Sequence, residues 1–309
     1  MTNREKYIRL CEQQALPLHV QAWWLKCSAQ KSNWDAIVIE EDGRIVAAMP
    51  YPMVDRFRLR AMLMPVHTQY HGMYIAENAP KDIYERMALA LDNECRKQHI
   101  CWCLLQGFYP PAFLQALEQT GFQIKEKTTY RMNPVPSRAE LPSLFSQNKR
   151  RQLRKAEGMQ LEYLDADTFY SFHRECMAKQ GKTIDYPRAW AQSVLPEALH
   201  REQGLLLGAR NKEGQLTAAM FLAWDAEYAY YLLPAYDPAH KDSGAMAWLT
   251  NDALCMTHDK GLGFDFEGSM TPSIASSYQQ FGGQKTSYWS IEKTYNPLIK
   301  IAATLRRLV

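Results

Sequence analysis

Apolar positions recur along this chain with two alternating periods, and the switches between them mark out most of its elements. Near-alternation of apolar and polar residues predicts strands at 35–40, 44–54 and 57–64. Apolar stripes at helical spacing predict helices at 3–14 and 18–28 before them and at 80–98 after them. A strand at 100–105, a helix near 110–120 and a strand at 123–131 complete the first half. The second half reads as a short strand at 159–165, helices at 167–180 and 187–203, and strands at 205–210, 216–224 and 228–233. A helix at 244–260 then stops at Gly261, a buried strand covers 263–266, a short helix spans 272–281, and the last strand covers 285–292. Glu41-Asp42-Gly43 and Asn211-Lys212-Glu213-Gly214 fit hairpin turns, each with a glycine free to take positive φ.

The two halves therefore follow one order, and the sequence itself echoes. Glu41-Asp42-Gly43-Arg44-Ile45-Val46-Ala47-Ala48-Met49 returns 171 residues later as Lys212-Glu213-Gly214-Gln215-Leu216-Thr217-Ala218-Ala219-Met220. Gln119-Thr120-Gly121-Phe122-Gln123 is echoed by Gln280-Phe281-Gly282-Gly283-Gln284. The interval between echoes is longer in the first copy, and its surplus is placed in the 65–79 loop. Between the copies, Asn133-Pro134-Val135-Pro136-Ser137-Arg138 and then Pro142 can form neither a regular helix nor a central strand. This predicts two domains, 1–135 and 143–309. Each is α/β: a meander, a crossover helix and a parallel strand make a mixed sheet.

Composition narrows the class. The chain has 309 residues, 47% apolar, with a formal charge of +3. That is an ordinary packed globule, and the charge is too mild to imply a nucleic-acid protein; no DNA partner is expected. No apolar run is long enough for a transmembrane helix, and the start Met1-Thr2-Asn3-Arg4-Glu5-Lys6 carries charge with no apolar signal core behind it. The seven cysteines form no CxxC pair, and Cys101 and Cys103 share one strand face. They read as reduced core residues of a cytoplasmic protein. His67 and His71 lie four apart in a loop without helical pattern, so no metal pair is read there.

Four groups could carry chemistry. Lys241, Asp242, Ser243, Gly244 and Ala245 lie at the start of the 244–260 helix, where free N–H groups and the helix dipole favour an anion; the same residues also make an ordinary cap. The matching place in the first half, Glu77-Asn78-Ala79-Pro80, is acidic and lacks glycine. Asp265 and Glu267 flank Phe266 and point to one face at the end of a strand, where a carboxylate can act as base or orient an amine. In the first copy those positions hold Cys103 and Leu105. Tyr228, Tyr230, Tyr231 and Tyr236 crowd the neighbouring strand; Tyr230 is the candidate proton donor, and half-buried packing is the alternative. Lys149, Arg150, Arg151, Arg154 and Lys155 lie on one helix, either a solvated face or a phosphate-binding one.

The order strand, two helices, three-strand meander, helix, strand, helix, strand resembles the GNAT acyltransferase fold. Its tandem form is similar to the Fem-type aminoacyltransferases of cell-wall peptide synthesis. Three segments carry the resemblance: Asn148-Lys149-Arg150-Arg151-Gln152-Leu153-Arg154-Lys155-Ala156-Glu157, Phe264-Asp265-Phe266-Glu267-Gly268, and Tyr278-Gln279-Gln280-Phe281-Gly282-Gly283. Where the family segment has a basic residue after the aromatic, this chain has Gln279. The place of the Gly-rich coenzyme A turn, 237–245, has one glycine, Gly244.

The resemblance implies two tandem GNAT-like (acyl-CoA N-acyltransferase) domains, the first degenerate. It implies transfer of an acyl or aminoacyl group to a small-molecule or peptide amine. The donor would be a coenzyme A thioester or an aminoacyl-tRNA, with no permanently bound cofactor. Asp265, Glu267 and Tyr230 would be catalytic. Lys241, Ser243, Gly244 and Ala245 would hold donor phosphates, and Lys149, Arg150, Arg154, Gly268, Ser269 and Tyr278 would hold substrate. A duplicated module that has lost its donor site is the remaining alternative.

Overall fold

The computed structural model describes residues 1–29, 33–56, 59–268 and 271–296. In chain order these give helices α1 (Asn3–Gln13) and α2 (Ala22–Ser28), then strands β1 (Asn33–Glu41), β2 (Arg44–Arg56), β3 (Leu59–Leu63) and β4 (Tyr74–Ile75). Next come α3 (Ile83–Lys97), β5 (Ile100–Gly107), α4 (Pro111–Gln119) and β6 (Gln123–Met132). Helices α5 (Leu141–Leu144) and α6 (Gln147–Lys155) precede β7 (Gln160–Tyr163), α7 (Ala166–Lys179), α8 (Arg188–His200), β8 (Gly204–Arg210), β9 (Leu216–Trp224) and β10 (Tyr228–Tyr236). The chain then forms α9 (Ala245–Asp259), β11 (Gly263–Asp265), α10 (Pro272–Gln279) and β12 (Gln284–Thr294). Both hairpin glycines take positive φ, Gly43 at 73° and Gly214 at 78°.

The chain packs as two compact units, and the division is not at the proline-rich seam. One unit is Met1–Lys127 with the segment that begins at Ser287; the other is Thr128–Thr286. The last strand of each half is thus exchanged. Most of β12 completes the first unit, running antiparallel to β5 from Trp289↔Gly107 to Thr294↔Trp102, and Ile291 is buried in that unit's core. The end of β6 completes the second unit, pairing antiparallel with β11 through Met132↔Phe264 and Arg131↔Asp265. Local patterning predicts the strands but not their partners, because pairing depends on residues far apart in sequence.

Each unit has a mixed sheet. In the first, β1–β2–β3 is an antiparallel meander, and β5 joins β3 in parallel after the α3 crossover. In the second, β7–β8–β9–β10 is the meander, and β11 joins β10 in parallel after α9. α9 lies on one sheet face with Ala218, Met220 and Leu222 of β9 and Tyr231 of β10. The alternate residues face the other way; Phe221 packs toward Ala198 of α8 beside Gly204.

Candidate active site

The parallel pairing of β10 with β11 lasts for three residues, Tyr228↔Gly263, Ala229↔Phe264 and Tyr230↔Asp265. β11 ends there, while β10 continues to Tyr236 through a bulge between Leu232 and Ala235, with Leu233 at φ 48°. The Phe266 N–H donates to the Tyr130 carbonyl instead, at 2.9 Å. The two strands therefore part, and a wedge opens between them beside α9.

A cleft of about 230 Å³ lies on this side of the second unit's sheet. Its walls come from Lys149 and Gln152 of α6, Tyr231 of β10, the start of α9 from Gly244 to Ala247, Phe266, and Ser277 and Tyr278 of α10, with His240 and Lys241 at the rim. Gly244 caps α9 at φ 80°, and a Cβ there would lie 2.1 Å from the Gln152 carbonyl oxygen. Only glycine lets α6 approach the start of α9 this closely. The start of α9, the positive end of its helix dipole, lies in the wall of the cleft beside two lysines.

Lys149 is the buried cation of the site, with 7% of its surface exposed. Ser146 caps α6 by accepting the Lys149 N–H at 3.2 Å. On that helix Lys149, Gln152, Leu153 and Ala156 share the face toward α9, so Lys149 points inward while Arg151, Arg154 and Lys155 stay exposed. Its Nζ donates to Ser277 Oγ at 2.8 Å and stands 4.3 Å from the Phe281 ring centroid. Burial, with no carboxylate lining the cleft, pulls its pKa down to about 8. Opposite it, Phe266 stacks on Tyr278 at 4.9 Å, and Tyr231 meets Tyr278 edge-on at 6.0 Å. Burial pushes the Tyr231 phenol up to about 12 and Tyr278 well above the ordinary phenol range. Both rings stay protonated at neutral pH and can donate hydrogen bonds.

Lys149, Lys241, Gly244, Ala245 and Tyr278 thus meet around one cleft. Ser243 stands just behind it, its hydroxyl accepting the Ala245 N–H at 3.2 Å. Arg150 is turned away and donates to the carbonyls of Pro142 and Phe145 at 3.3 and 2.5 Å. Arg154 is exposed on α6. Gly268, at φ 61°, packs its backbone against Thr128 and Thr129. Ser269 lies outside the described residues, as does most of a basic, apolar tail at 296–309 that the sequence allows as an amphipathic helix.

Two expected catalytic residues are placed elsewhere. Asp265 is fully buried and accepts from Thr129 Oγ1 at 2.7 Å, Arg131 Nε at 2.6 Å and the Glu267 N–H at 2.7 Å. Tyr230 donates to Asp225 Oδ2 at 2.6 Å. The two residues pair across β10 and β11, so they share the face opposite Tyr231, Phe264 and Phe266, and neither lines the cleft. Period-2 alternation puts Asp265 opposite Phe266, but cannot say which face α9 covers. Glu267 does not continue the strand; its φ is 59°, and its Oε1 is shut off from solvent. Burial first, then the neighbouring Asp265 charge, pushes its carboxyl well above the usual range. Glu267 and Asp265 also act by charge on the Tyr278 phenol.

Sequence reasoning missed Ser277, Phe281 and Gln152. The 149/152/153/156 spacing on α6 was the available signal for Gln152 and for the inward turn of Lys149. In the first unit His71 is buried, bonded through Nε2 to the Pro50 carbonyl at 2.6 Å and through Nδ1 to Tyr109 at 3.0 Å. Among the described residues no group of His, Cys, Asp and Glu could hold a metal ion, and no helix is long and apolar enough to cross a membrane.

Comparison with known proteins bears on this wedge and cleft. Residues 145–275, which include most of the cleft's lining residues but not Ser277, Tyr278 or Phe281, match the family described as acetyltransferase (GNAT) domain. FemX superposes with a TM-score of 0.73 at 12% identity, over 97% of this chain and 98% of that one. The chain has a tandem GNAT-like fold of the Fem type. A tandem GNAT protein from the clavulanic acid biosynthesis pathway aligns with a TM-score of 0.58 at 12% identity, over 88% of this chain and 86% of that one. L-PGS from Bacillus licheniformis aligns with a TM-score of 0.61 at 8% identity, over 100% and 97%. No curated protein matches the chain in sequence. At such identities the structural likeness speaks to fold alone.

Proposed function

We propose that the second unit transfers an acyl or aminoacyl group from a phosphate-bearing activated donor to an amine acceptor. The observation that carries this reading is the cleft where the start of α9, Lys241 and the buried Lys149 meet without a carboxylate. Donor phosphates would bind the start of α9 and the Lys241 ammonium, with Lys149 lining the path of the acyl arm. The acyl arm would run toward the wedge between β10 and β11, where Tyr231 and Tyr278 can donate to a carbonyl oxygen or a leaving thiolate. Glu267 would take the proton of the attacking ammonium, as burial and the Asp265 charge push its carboxyl well above the usual range and make it a stronger base. Asp265 would be a positioning residue, holding Arg131, Thr129 and the Glu267 backbone.

Coenzyme A thioesters and aminoacyl-tRNA both meet the phosphate requirement. The exposed Arg151, Arg154 and Lys155 on α6, next to the cleft, favour the aminoacyl-tRNA reading as a second one, with a cell-wall precursor or peptide as acceptor. A thermal-shift panel of coenzyme A, acyl-CoAs and a charged tRNA, followed by acyl transfer to an amine, tests both. Stabilisation by one donor class selects it. No shift with any of them leaves a duplicated module without a donor site.

A further inference from the structure

Lys149 is buried, yet it forms no ion pair among the described residues. Among the described residues its Nζ has one hydrogen-bond partner, the Ser277 hydroxyl. Its Nζ lies in the wall of the cleft, beside Tyr278 and the start of α9. The titratable groups lining the cleft around it are Tyr231, Tyr236, His240, Lys241 and Tyr278. None is a carboxylate that would hold the amine protonated. An amine so placed is, once neutral, a nucleophile facing whatever the cleft binds.

We infer that Lys149 is a self-acylation site, modified by an acyl thioester bound in its own cleft. This rests on the donor reading above and goes beyond it: the acceptor is the protein's own side chain. In the step, the neutral Nζ attacks the thioester carbonyl carbon. A C–N bond forms, the C–S bond breaks, and the thiol leaves with the proton lost by the amine. The product is an amide that no longer carries charge and occupies space the donor needs. Acylation at Lys149 therefore closes the cleft to further donor, and the protein limits its own donor binding.

Burial makes the chemistry accessible at mild pH. With a pKa of about 8, half of Lys149 is neutral at pH 8, against under about 1% of a solvated lysine. Labelling at Lys149 should outpace that of exposed lysines on the order of 10- to 100-fold.

The test incubates the full chain with acetyl-CoA at pH 8 and follows intact mass and peptide maps. Unesterified coenzyme A is run in parallel by thermal shift. The expected result is one acetyl group at Lys149, none in Lys149→Arg, and no coenzyme A shift in the acetylated protein. Ser277→Ala, which removes the one hydrogen-bond acceptor of the ammonium among the described residues, should change the labelling rate without moving the site. A coenzyme A shift with no acetyl at Lys149 overturns the proposal and leaves the donor reading standing. Acetylation spread evenly over exposed lysines overturns it as well. Absence of both shift and label removes the proposal together with the donor reading. Acetyl phosphate serves as a donor without the coenzyme A body; equal labelling of Lys149 by it and by acetyl-CoA would show that the cleft plays no part.

Discussion

Replacing Lys149 by methionine should make the protein more stable and abolish donor binding. The lysine has 7% of its surface exposed, and burial lowers its pKa from 10.5 to about 8. A depressed lysine pKa means the fold disfavours the ammonium. Below pH 8 the folded and unfolded chains are both protonated, and the full penalty is present. Between pH 8 and 10.5 the unfolded chain binds more protons than the folded one, so stability rises with pH through that window. At 1.36 kcal/mol per unit the penalty is about 3 kcal/mol, partly offset by the Ser277 hydrogen bond and the Phe281 ring. Methionine keeps an unbranched stem that can fill the same space. Urea unfolding at pH 7 should therefore show Lys149→Met more stable by about 1–3 kcal/mol, and at pH 10.5 the gap should nearly close. A variant less stable than the wild type at pH 7, or a gap that ignores pH, would refute the burial argument. Loss of donor binding alongside this gain would mark a residue kept for function at a cost in stability.

Gly244→Ala places a Cβ 2.1 Å from the Gln152 carbonyl at a φ of 80°, so it should lose about 2–4 kcal/mol. Gly214→Ala, at a similar φ of 78° in open space, should lose only about 1 kcal/mol; equal losses would contradict the α6–α9 contact. Asp265→Ala removes the buried carboxylate that pairs with Arg131 and should destabilise by about 3–5 kcal/mol in a thermal or urea melt. A stable Asp265→Ala that loses only turnover would return that residue to a direct catalytic role. Glu267→Gln should abolish turnover while leaving donor affinity intact. In the wild type the rate should fall as pH drops through the raised Glu267 pKa, since the base is lost on protonation.

Much of the fold was legible because each element has a strong local period. The meanders, the crossover helices and both hairpin glycines follow from 3.6- and 2-residue spacing and from turn chemistry. The exchange of the last strands was not legible. Gln123–Met132 and Gln284–Thr294 have the same strand character whichever unit they complete, and the proline-rich seam points to a cut that the packing does not follow. The cleft was half legible. Lys241, Gly244 and Ala245 stand out as a helix start, and Lys149 stands out in a basic run. That Lys149 alone of that run is buried needs the α6–α9 contact, which depends on Gly244 more than ninety positions away. Asp265 and Tyr230 have functional chemistry and structural partners. Their type suggests catalysis, while Thr129, Arg131 and Asp225, brought in by neighbouring strands and a turn, hold them in place.

We propose above all that the second unit's cleft binds an acyl donor at Lys149 and the start of α9. A thermal-shift titration of coenzyme A, acetyl-CoA and a charged tRNA against wild type and Lys149→Met tests it directly. The expected result is a concentration-dependent rise in melting temperature with at least one donor, lost in the variant. No shift in the wild type with any donor, or the same shift in the variant, would contradict it.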